Sequence, residues 1–332
     1  MASPGRGANM KAAIYTSYGP PDVVRVADVE KPAPKNDEVL IKVRAASVNP
    51  IDWRLIRGKP FAVRLMSSLT KMKGHPGVDA AGEIEAVGNK VTQFKPGDAV
   101  FGACRWAFAE YTCGNESKIA LKPDNVTFEQ AASTNVAGLT ALQGLRDHGK
   151  VQNGNKVLVN GAAGGVGTFG VQIAKTFGAH VTGVCSTRNI ELVRSIGADE
   201  VIDYTQKDFT TGNQRYDVIL DCIGNHSFSA CKRVLNPLGR SVIIGGPHDI
   251  SMTALFARML KTALVSLFGS QKAVMFIAKA GQADLAVIGE LIASGKIKPV
   301  IDKVFSLNES AAAIRHVEEG HARGKVIILG QG

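Results

Sequence analysis

The stretch VNGAAGGVGTFGVQIAK (residues 159–175) contains five glycines and directly follows a short apolar run. Read as Ala162-x-Gly164-x-x-Gly167, it has a small residue for a tight turn, a glycine that lets the backbone approach a pyrophosphate, and a glycine that lets a helix sit close to a sheet. A glycine-rich turn without any ligand is the alternative interpretation. The surrounding sequence has to decide between them.

The residues after this turn have the pattern of a helix. Val166, Phe169, Ile173 and Phe177 recur at helical spacing and predict one buried face. We include Gly165 and Val166 in the predicted binding turn, because the free amides and the dipole of a helix N-terminus favour a bound phosphate.

Strand and helix signals alternate from the glycine turn onward. The apolar, β-branched runs predict a parallel sheet covered on both faces by helices, which is the doubly wound α/β fold typical of dinucleotide binding. We therefore predict a Rossmann domain over residues 124–272 that binds a dinucleotide. The predicted strands are KVLVN, HVTGVC, EVID, YDVILDC and RSVIIGG.

The end of the second predicted strand favours NADPH over NADH. It reads VCSTRN, and no carboxylate stands where one would grip the ribose 2′-hydroxyl of NAD. Ser186 can donate a hydrogen bond and Arg188 a charge-assisted contact to a 2′-phosphate. We expect Tyr204, after the third strand, to lie over the adenosine. An exposed arginine at a helix start is the alternative for Arg188.

Composition limits the remaining classes of function. The chain has 332 residues, enough for roughly two domains, and no apolar run of about 18 residues that predicts a membrane span. Its net charge of +10 is dispersed, so we expect no nucleic-acid partner. The five cysteines show no metal-ligand spacing and suit free thiols in a reducing, cytoplasmic compartment.

The N-terminal third has the signals of β structure. Short apolar or alternating runs, separated by turn-forming Gly, Pro and Asn, predict a small, partly open barrel over residues 10–123. The closing run GKVIILG predicts a last strand that returns to this barrel, so that residues 273–332 complete it. We interpret residues 1–9 as a disordered extension.

The combination of motifs resembles the medium-chain dehydrogenase/reductase superfamily. Within it, the chain is similar to the zinc-independent quinone oxidoreductase branch, which includes zeta-crystallin. The resemblance implies a GroES-like barrel formed by both chain ends, a Rossmann domain between them, catalysis in the cleft, and a homodimer. The motifs that carry it are AASVNPIDW, GVDAAGEIEAVG, FKPGDAVFG, AFAEY, VAGLTALQGL, AAGGVG, CSTRNIELVRSIGADEVIDY and GHARGKVII.

The resemblance also allows the positions of the zinc ligands in related enzymes to be compared with this chain. Zinc-dependent relatives carry a cysteine where this chain has Asn49, and a His-Glu pair where it has Val78 and Asp79. Catalytic zinc needs three protein ligands. His75 lies three residues before the ligand position and has no cysteine nearby, so we interpret it as a loop or rim residue and expect no metal site.

The resemblance implies three catalytic residues. Asn49 and Asp52 are expected at the substrate cleft, where Asn49 would bind the acceptor carbonyl or the nicotinamide ribose and Asp52 would orient the network; turn capping is the alternative for both. Thr140 matches a position near the nicotinamide, and a hydroxyl bonded to its own helix is the alternative. Many relatives have a tyrosine where this chain has Arg54, and Tyr111 is interpreted as a barrel core residue.

The nicotinamide end of the cleft is expected at two places. Gly245 and Gly246, after the fifth strand, would let the backbone approach the ring, and Phe268, Gly269 and Ser270 would line the same cleft. Segments 57–73 and 256–268 are expected to flank the pocket mouth. Their cations and apolar side chains suit a bulky acceptor and, as a second choice, a membrane surface.

We therefore expect an NADPH-dependent reductase that delivers hydride to a quinone or an α,β-unsaturated carbonyl. Without a metal to polarise an alcohol oxygen, this is the natural chemistry of the bound cofactor. No side chain is identified as the proton donor. The alternative is an NADPH-binding protein with a structural, RNA-binding or redox-sensing role.

Overall fold

Two six-stranded β-sheets and a two-stranded hairpin organise the part of the chain that the computed structural model describes. Asn9, predicted to belong to a disordered extension, is the first residue of a strand. Phe268, most of the two predicted pocket-mouth segments and most of the predicted extension lie outside the described residues. The structure describes residues 8–59, 74–246, 260, 262, 264 and 269–330.

The N-terminal third forms a hairpin and a small antiparallel barrel. β1 and β2 pair with each other, and β3 pairs with both β4 and β6, so that β3 to β6 close on themselves. Val39, Ile41 and Val43 alternate along β3 and fill the barrel interior, as period-two patterning requires. The strands are β1 (Asn9–Ile14), β2 (Arg25–Glu30), β3 (Glu38–Val48), β4 (Asp79–Val87), β5 (Ala99–Arg105) and β6 (Tyr111–Leu121).

The middle of the chain forms a parallel sheet of order β12-β11-β10-β7-β8-β9. All neighbouring strands are parallel, and the strand order reverses between β7 and β10, which confirms the predicted doubly wound class. Residue 272, the predicted domain boundary, lies within β12; the domain limits stay a prediction. The strands are β7 (Lys156–Asn160), β8 (His180–Cys185), β9 (Glu200–Asp203), β10 (Tyr216–Asp221), β11 (Leu235–Ile243) and β12 (Lys272–Met275).

The C-terminal end of the chain returns to the barrel. β13 (Ile301–Ser306) pairs with β14 (Lys325–Leu329), and β14 pairs antiparallel with β3. The expectation that both chain ends build the barrel is confirmed. The same return places the residues before β14 beside the glycine turn, because Gly324 and Gly164 form an isolated parallel bridge.

Helices cover both sheets, and none in the described residues is long and apolar enough to cross a bilayer. Thr127 and Gln130 form the predicted capping box. The alanine-rich run after them forms two helices, because Ser133 and Thr134 bond back to preceding carbonyls and interrupt it. The helices are α1 (Pro50–Arg57), α2 (Phe128–Ala132), α3 (Asn135–Gln143), α4 (Gly165–Thr176), α5 (Ile190–Ser195), α6 (Phe228–Lys232), α7 (Gln282–Ala293) and α8 (Ser310–Glu318).

Helix α4 lies unusually close to the turn that precedes it. Phe169 and Ile173 are fully buried against the parallel sheet, as their spacing predicts. A Cβ atom on Gly167 would lie 2.1 Å from the carbonyl oxygen of Gly161, so only glycine fits there. A Cβ on Gly164 would find its nearest neighbour at 3.4 Å.

These contacts predict different costs for two alanine substitutions in one turn. Gly167→Ala should lower the free energy of unfolding by about 1–3 kcal/mol, because α4 has to move away from the turn. Gly164→Ala, at a φ of −83°, should change it by less than about 0.5 kcal/mol. Urea unfolding of both variants measures this. Equal losses would show that close packing at Gly167 is unimportant.

Candidate active site between the two sheets

The glycine turn provides an open, amide-lined cradle. Gly161, with a φ of +82°, makes the turn after β7, and Gly164 is the N-cap of α4 with no side chain bonded to the helix amides. Those free N–H groups fit a pyrophosphate. Ala162 lies in the turn, as expected, and is fully buried, and Val166 packs partly against the core. The first amides of α4, Gly165 included, are the groups available to a ligand.

The residues predicted for the adenosine end lie together at the carboxyl edge of the sheet. Ser186 follows β8, and Tyr204 follows β9 with its N–H donated to the Cys185 carbonyl at 3.0 Å. Because β8 and β9 are paired up to Cys185 and Asp203, the two positions are neighbours. The Tyr204 side chain is 62% exposed, so its ring is free to cover a ligand.

A second arginine joins Arg188 from the far end of the chain. The Arg188 guanidinium donates to the His321 carbonyl at 3.4 Å, and the Arg323 guanidinium donates to the Arg188 carbonyl at 3.3 Å. Sequence reasoning missed Arg323. Its only signal was its place in the closing motif GHARGKVII, which says nothing about its neighbour 135 residues away.

Only part of the predicted nicotinamide end is brought to this edge. Gly245 and Gly246 follow β11; a Cβ on Gly245 would lie 2.1 Å from the Cys222 carbonyl, whereas Gly246 faces open space. Gly269 and Ser270 do not line this cleft. They precede β12 and so lie at the amino edge, where the Ser270 hydroxyl donates to the Pro237 carbonyl.

Asn49 and Asp52 are buried at the start of α1, where Asn49 is the N-cap and Asp52 is the third helical residue. Asp52 accepts the Asn49 N–H at 2.7 Å and the Gly77 N–H at 3.0 Å. The Asn49 side-chain amide donates to the Ser47 carbonyl at 3.2 Å and to Asp79 Oδ2 at 2.8 Å. Both amide hydrogens of Asn49 are therefore engaged, and only its oxygen retains a lone pair for a ligand.

Asp79 is the centre of this polar cluster, and sequence reasoning did not single it out as a site residue. It is fully buried at the start of β4. Besides Asn49, it accepts the Asn135 side-chain amide at 2.8 Å and lies 3.4 Å from the Ser47 hydroxyl. Asn135 starts α3, so Asp79 joins the barrel to a helix of the nucleotide-binding half.

Lys325 supplies the positive charge of the cluster. Its side chain is 3% exposed, and its Nζ donates to Asn49 Oδ1 at 2.6 Å and lies 4.0 Å from Asp79 Oδ2.

Thr140 lies one turn after Val136 on α3; its hydroxyl makes no hydrogen bond to the described part of the chain. It is thus free to contact a ligand.

The histidine near the zinc-ligand position packs against an aromatic ring. The His75 and Trp106 centroids are 4.5 Å apart, and burial lowers the pKa of His75. Among the described residues, no three His, Cys, Asp or Glu side chains are grouped to hold a metal ion. Tyr111 packs at the hairpin, with the Lys31 ammonium 3.6 Å from its ring centre.

Burial shifts the charge balance of the cluster. The pKa of Asp52 lies at about 7, chiefly because its carboxyl is buried; nearby Asp79 raises it too, while the Asn49 N–H opposes the rise. Burial also raises the pKa of Asp79, against the effect of the Lys325 ammonium. Burial lowers the pKa of Lys325, against the effect of both carboxylates.

The raised pKa of Asp52 predicts a pH-dependent stability. A carboxyl whose pKa is higher in the folded than in the unfolded chain stabilises at acid pH and loses that contribution as pH rises to the folded value. Relative to Asp52→Asn, the native free energy of unfolding should fall by about 1.4 kcal/mol per pH unit between roughly pH 4 and 7. Urea unfolding across this range measures the difference.

Three other titratable groups face Asp52: Asp79, Lys325 and Tyr15. They are present in both proteins, so their own titration largely cancels in the comparison. A difference that stays constant from pH 4 to 7 would contradict a raised pKa at Asp52.

Comparison with known proteins finds relatives of the whole chain. Residues 35–124 match the family described as alcohol dehydrogenase GroES-like domain, and residues 196–328 match the one described as zinc-binding dehydrogenase. The chain is 35% identical to a chloroplast envelope quinone oxidoreductase homolog of Arabidopsis thaliana, over 97% of this chain and 99% of the relative. It is 34% identical to a chloroplastic NADPH-dependent alkenal/one oxidoreductase of the same plant, over 96% and 79%.

Comparison of the fold with solved structures also finds a quinone oxidoreductase. The structure of the quinone oxidoreductase from Coxiella burnetii is similar with a TM-score of 0.86 and 30% identity, over 98% of this chain and 100% of that one. Similarity on this scale covers both sheets. This chain is therefore an oxidoreductase, and it belongs to the zinc-independent quinone oxidoreductase branch of the medium-chain dehydrogenase/reductase superfamily.

Proposed function

We propose that this protein is an NADPH-dependent, zinc-independent oxidoreductase that reduces a quinone or an α,β-unsaturated carbonyl compound. The observation that supports the proposal is the bridge between Gly164 and Gly324. It joins the glycine turn, which we propose holds the phosphates, to the residue before Lys325, whose side chain donates to Asn49 in the buried cluster. Cofactor and acceptor would meet between the two sheets. NADPH, when bound, supplies the hydride.

The substrate class follows from the relatives and from the cluster. One relative is named for quinones and another for alkenals and enones, and both match nearly all of this chain. We propose that the Asn49 oxygen accepts a hydrogen bond from the nicotinamide ribose, since both of its amide hydrogens are already donated. Asp52 orients Asn49 by accepting its backbone N–H, and we propose that the Thr140 hydroxyl on α3 also contacts the ligand.

The preference for NADPH rests on two guanidinium groups. Arg188 and Arg323 lie together at the carboxyl end of β8, and no carboxylate replaces Ser186 at the strand end. Asp203, at the end of the neighbouring strand β9, already accepts the Thr187 hydroxyl at 2.5 Å. Arginine pairs of this kind bind a phosphate by charge-assisted hydrogen bonds.

Independence from zinc is supported by the charge already present at the ligand positions. The Lys325 ammonium lies 2.6 Å from Asn49 Oδ1 and 4.0 Å from Asp79. A divalent cation at these positions would be repelled by the ammonium, and an amide is a poor substitute for a thiolate ligand. We propose that Lys325 is the only cation these two residues require.

We propose that the protein forms a homodimer through β12. In the described part of the chain nothing pairs with its outer edge, and Ile277, just beyond the strand, is 91% exposed. An open parallel edge with an exposed apolar residue is a ready template for a second copy. Sedimentation velocity tests this proposal.

We also propose a cytoplasmic location, on the ground that all five cysteines are free thiols. Two plant relatives carry chloroplast names, so organelle fractionation is the deciding measurement.

Substitution of Arg188 should weaken the binding of NADPH much more than the binding of NADH. Arg188→Ala should weaken NADPH binding by about 10- to 100-fold, the value of a charge-assisted bond, and NADH binding by less than about threefold. Fluorescence titration measures both. Arg194→Ala is the matched control, since that exposed arginine pairs with Glu191 on α5. Equal effects of Arg188→Ala on both cofactors would remove the 2′-phosphate assignment.

The function itself is tested by following NADPH oxidation against a panel of quinones, enones and enals. We expect turnover that prefers NADPH and persists after treatment with a chelator, because no step requires a metal. NADH and a chelator-treated sample run in parallel. Tight NADPH binding without turnover of any acceptor would favour a structural, RNA-binding or redox-sensing role instead.

A further inference from the structure

Lys325 contacts both halves of the candidate site. At the start of β14, its Nζ donates to Asn49 Oδ1 at 2.6 Å and to the Val48 carbonyl at 3.3 Å. Its Cδ lies 3.1 Å from where a Cβ on Gly165 would stand, at the first turn of α4. One side chain therefore connects the end of β3 to the phosphate-binding helix.

The burial of this ammonium is costly unless opposite charges and hydrogen bonds compensate for it. Asp79 and Asp52 are the buried carboxylates that act on it. The backbone around it is equally constrained, because the Lys325 N–H donates to the Val300 carbonyl at 2.8 Å and Gly324 bridges Gly164. Both the backbone and the side chain of Lys325 are therefore held by hydrogen bonds.

The ammonium also fixes which way the Asn49 amide points. Its oxygen faces the Lys325 ammonium, and its nitrogen faces the Asp79 carboxylate at 2.8 Å. A reversed amide would place NH₂ against a cation and oxygen against an anion, and would lose both charge-assisted bonds. The two opposite charges therefore select a single orientation.

We propose that Lys325 is a positioning residue, which holds the Asn49 side chain in the orientation required for hydride transfer and couples it to the dinucleotide turn. The kinetic part of this proposal rests on the proposed function. Its structural part, the fixed amide of Asn49, does not depend on turnover. The two parts have separate measurements.

The kinetic test is a double-mutant cycle. Lys325→Met removes the charge and keeps an unbranched side chain, and Asn49→Ala removes the oriented amide. Each should lower kcat by about tenfold or more and raise the NADPH dissociation constant by less than about tenfold, the value of one lost hydrogen bond to the ribose. The kcat of the double variant should fall no further than that of Asn49→Ala alone. Lys175→Met, on the exposed face of α4, is the matched control.

A second variant distinguishes a specific loss of kcat from a loss of folding. Lys325→Met leaves the Asp79 charge buried without a cation, so Lys325→Met/Asp79→Asn removes both charges together. We expect this neutral pair to fold and to retain the low kcat. Wild-type kcat in the folded neutral pair would overturn the kinetic part.

The structural test is spectroscopic and needs no acceptor. The side-chain NH₂ of Asn49, identified by its loss in Asn49→Ala, should exchange slowly with solvent because both hydrogens are bonded and buried. In the folded neutral pair the exchange should be faster by about tenfold or more. Unchanged exchange would overturn the positioning role. If the wild-type protein bound NADPH but reduced no acceptor, the proposed function would be refuted. The hydrogen exchange of the Asn49 amide would still test whether Lys325 holds that side chain.

Discussion

The pairing of one buried ammonium with two buried carboxylates is the constraint on which the rest of the site depends. Lys325 and Asp79 are each costly to bury and acceptable only together, with amide donors around them. The partners come from the end of β3, the starts of β4 and α3, and β14. The chain can satisfy them only if its last strand returns to the first barrel, which is the topology observed.

The same return completes the nucleotide-binding half. The residues just before β14 bring Arg323 to the end of β8 and Gly324 to the glycine turn. A dinucleotide cradle built by the parallel sheet alone would have open amides but only one of the two arginines. The barrel therefore contributes to the cofactor site as well as to the acceptor site.

Local features of the chain were predictable, and distant pairings were not. The glycine turn, the helix face of Phe169 and Ile173, and the parallel strands follow from spacing within about 20 residues. Asp79 and Lys325 were missed because Asp79 bonds Asn135 at a separation of 56 residues and Lys325 bonds Asn49 at a separation of 276. Gly269 and Ser270 were placed on the wrong edge because composition does not show where β12 begins.

The cluster also explains why two carboxylates can be buried beside one lysine. Asp79 has the ammonium and four polar donors around it. Asp52, in contrast, accepts only backbone N–H groups among the described residues and has a pKa of about 7. A proton on Asp52 leaves one cation and one anion, which is the less costly state away from water. Asp52, with a pKa of about 7, therefore titrates near neutral pH, beside the hydrogen bonds from Lys325 and to Asp79 that orient Asn49.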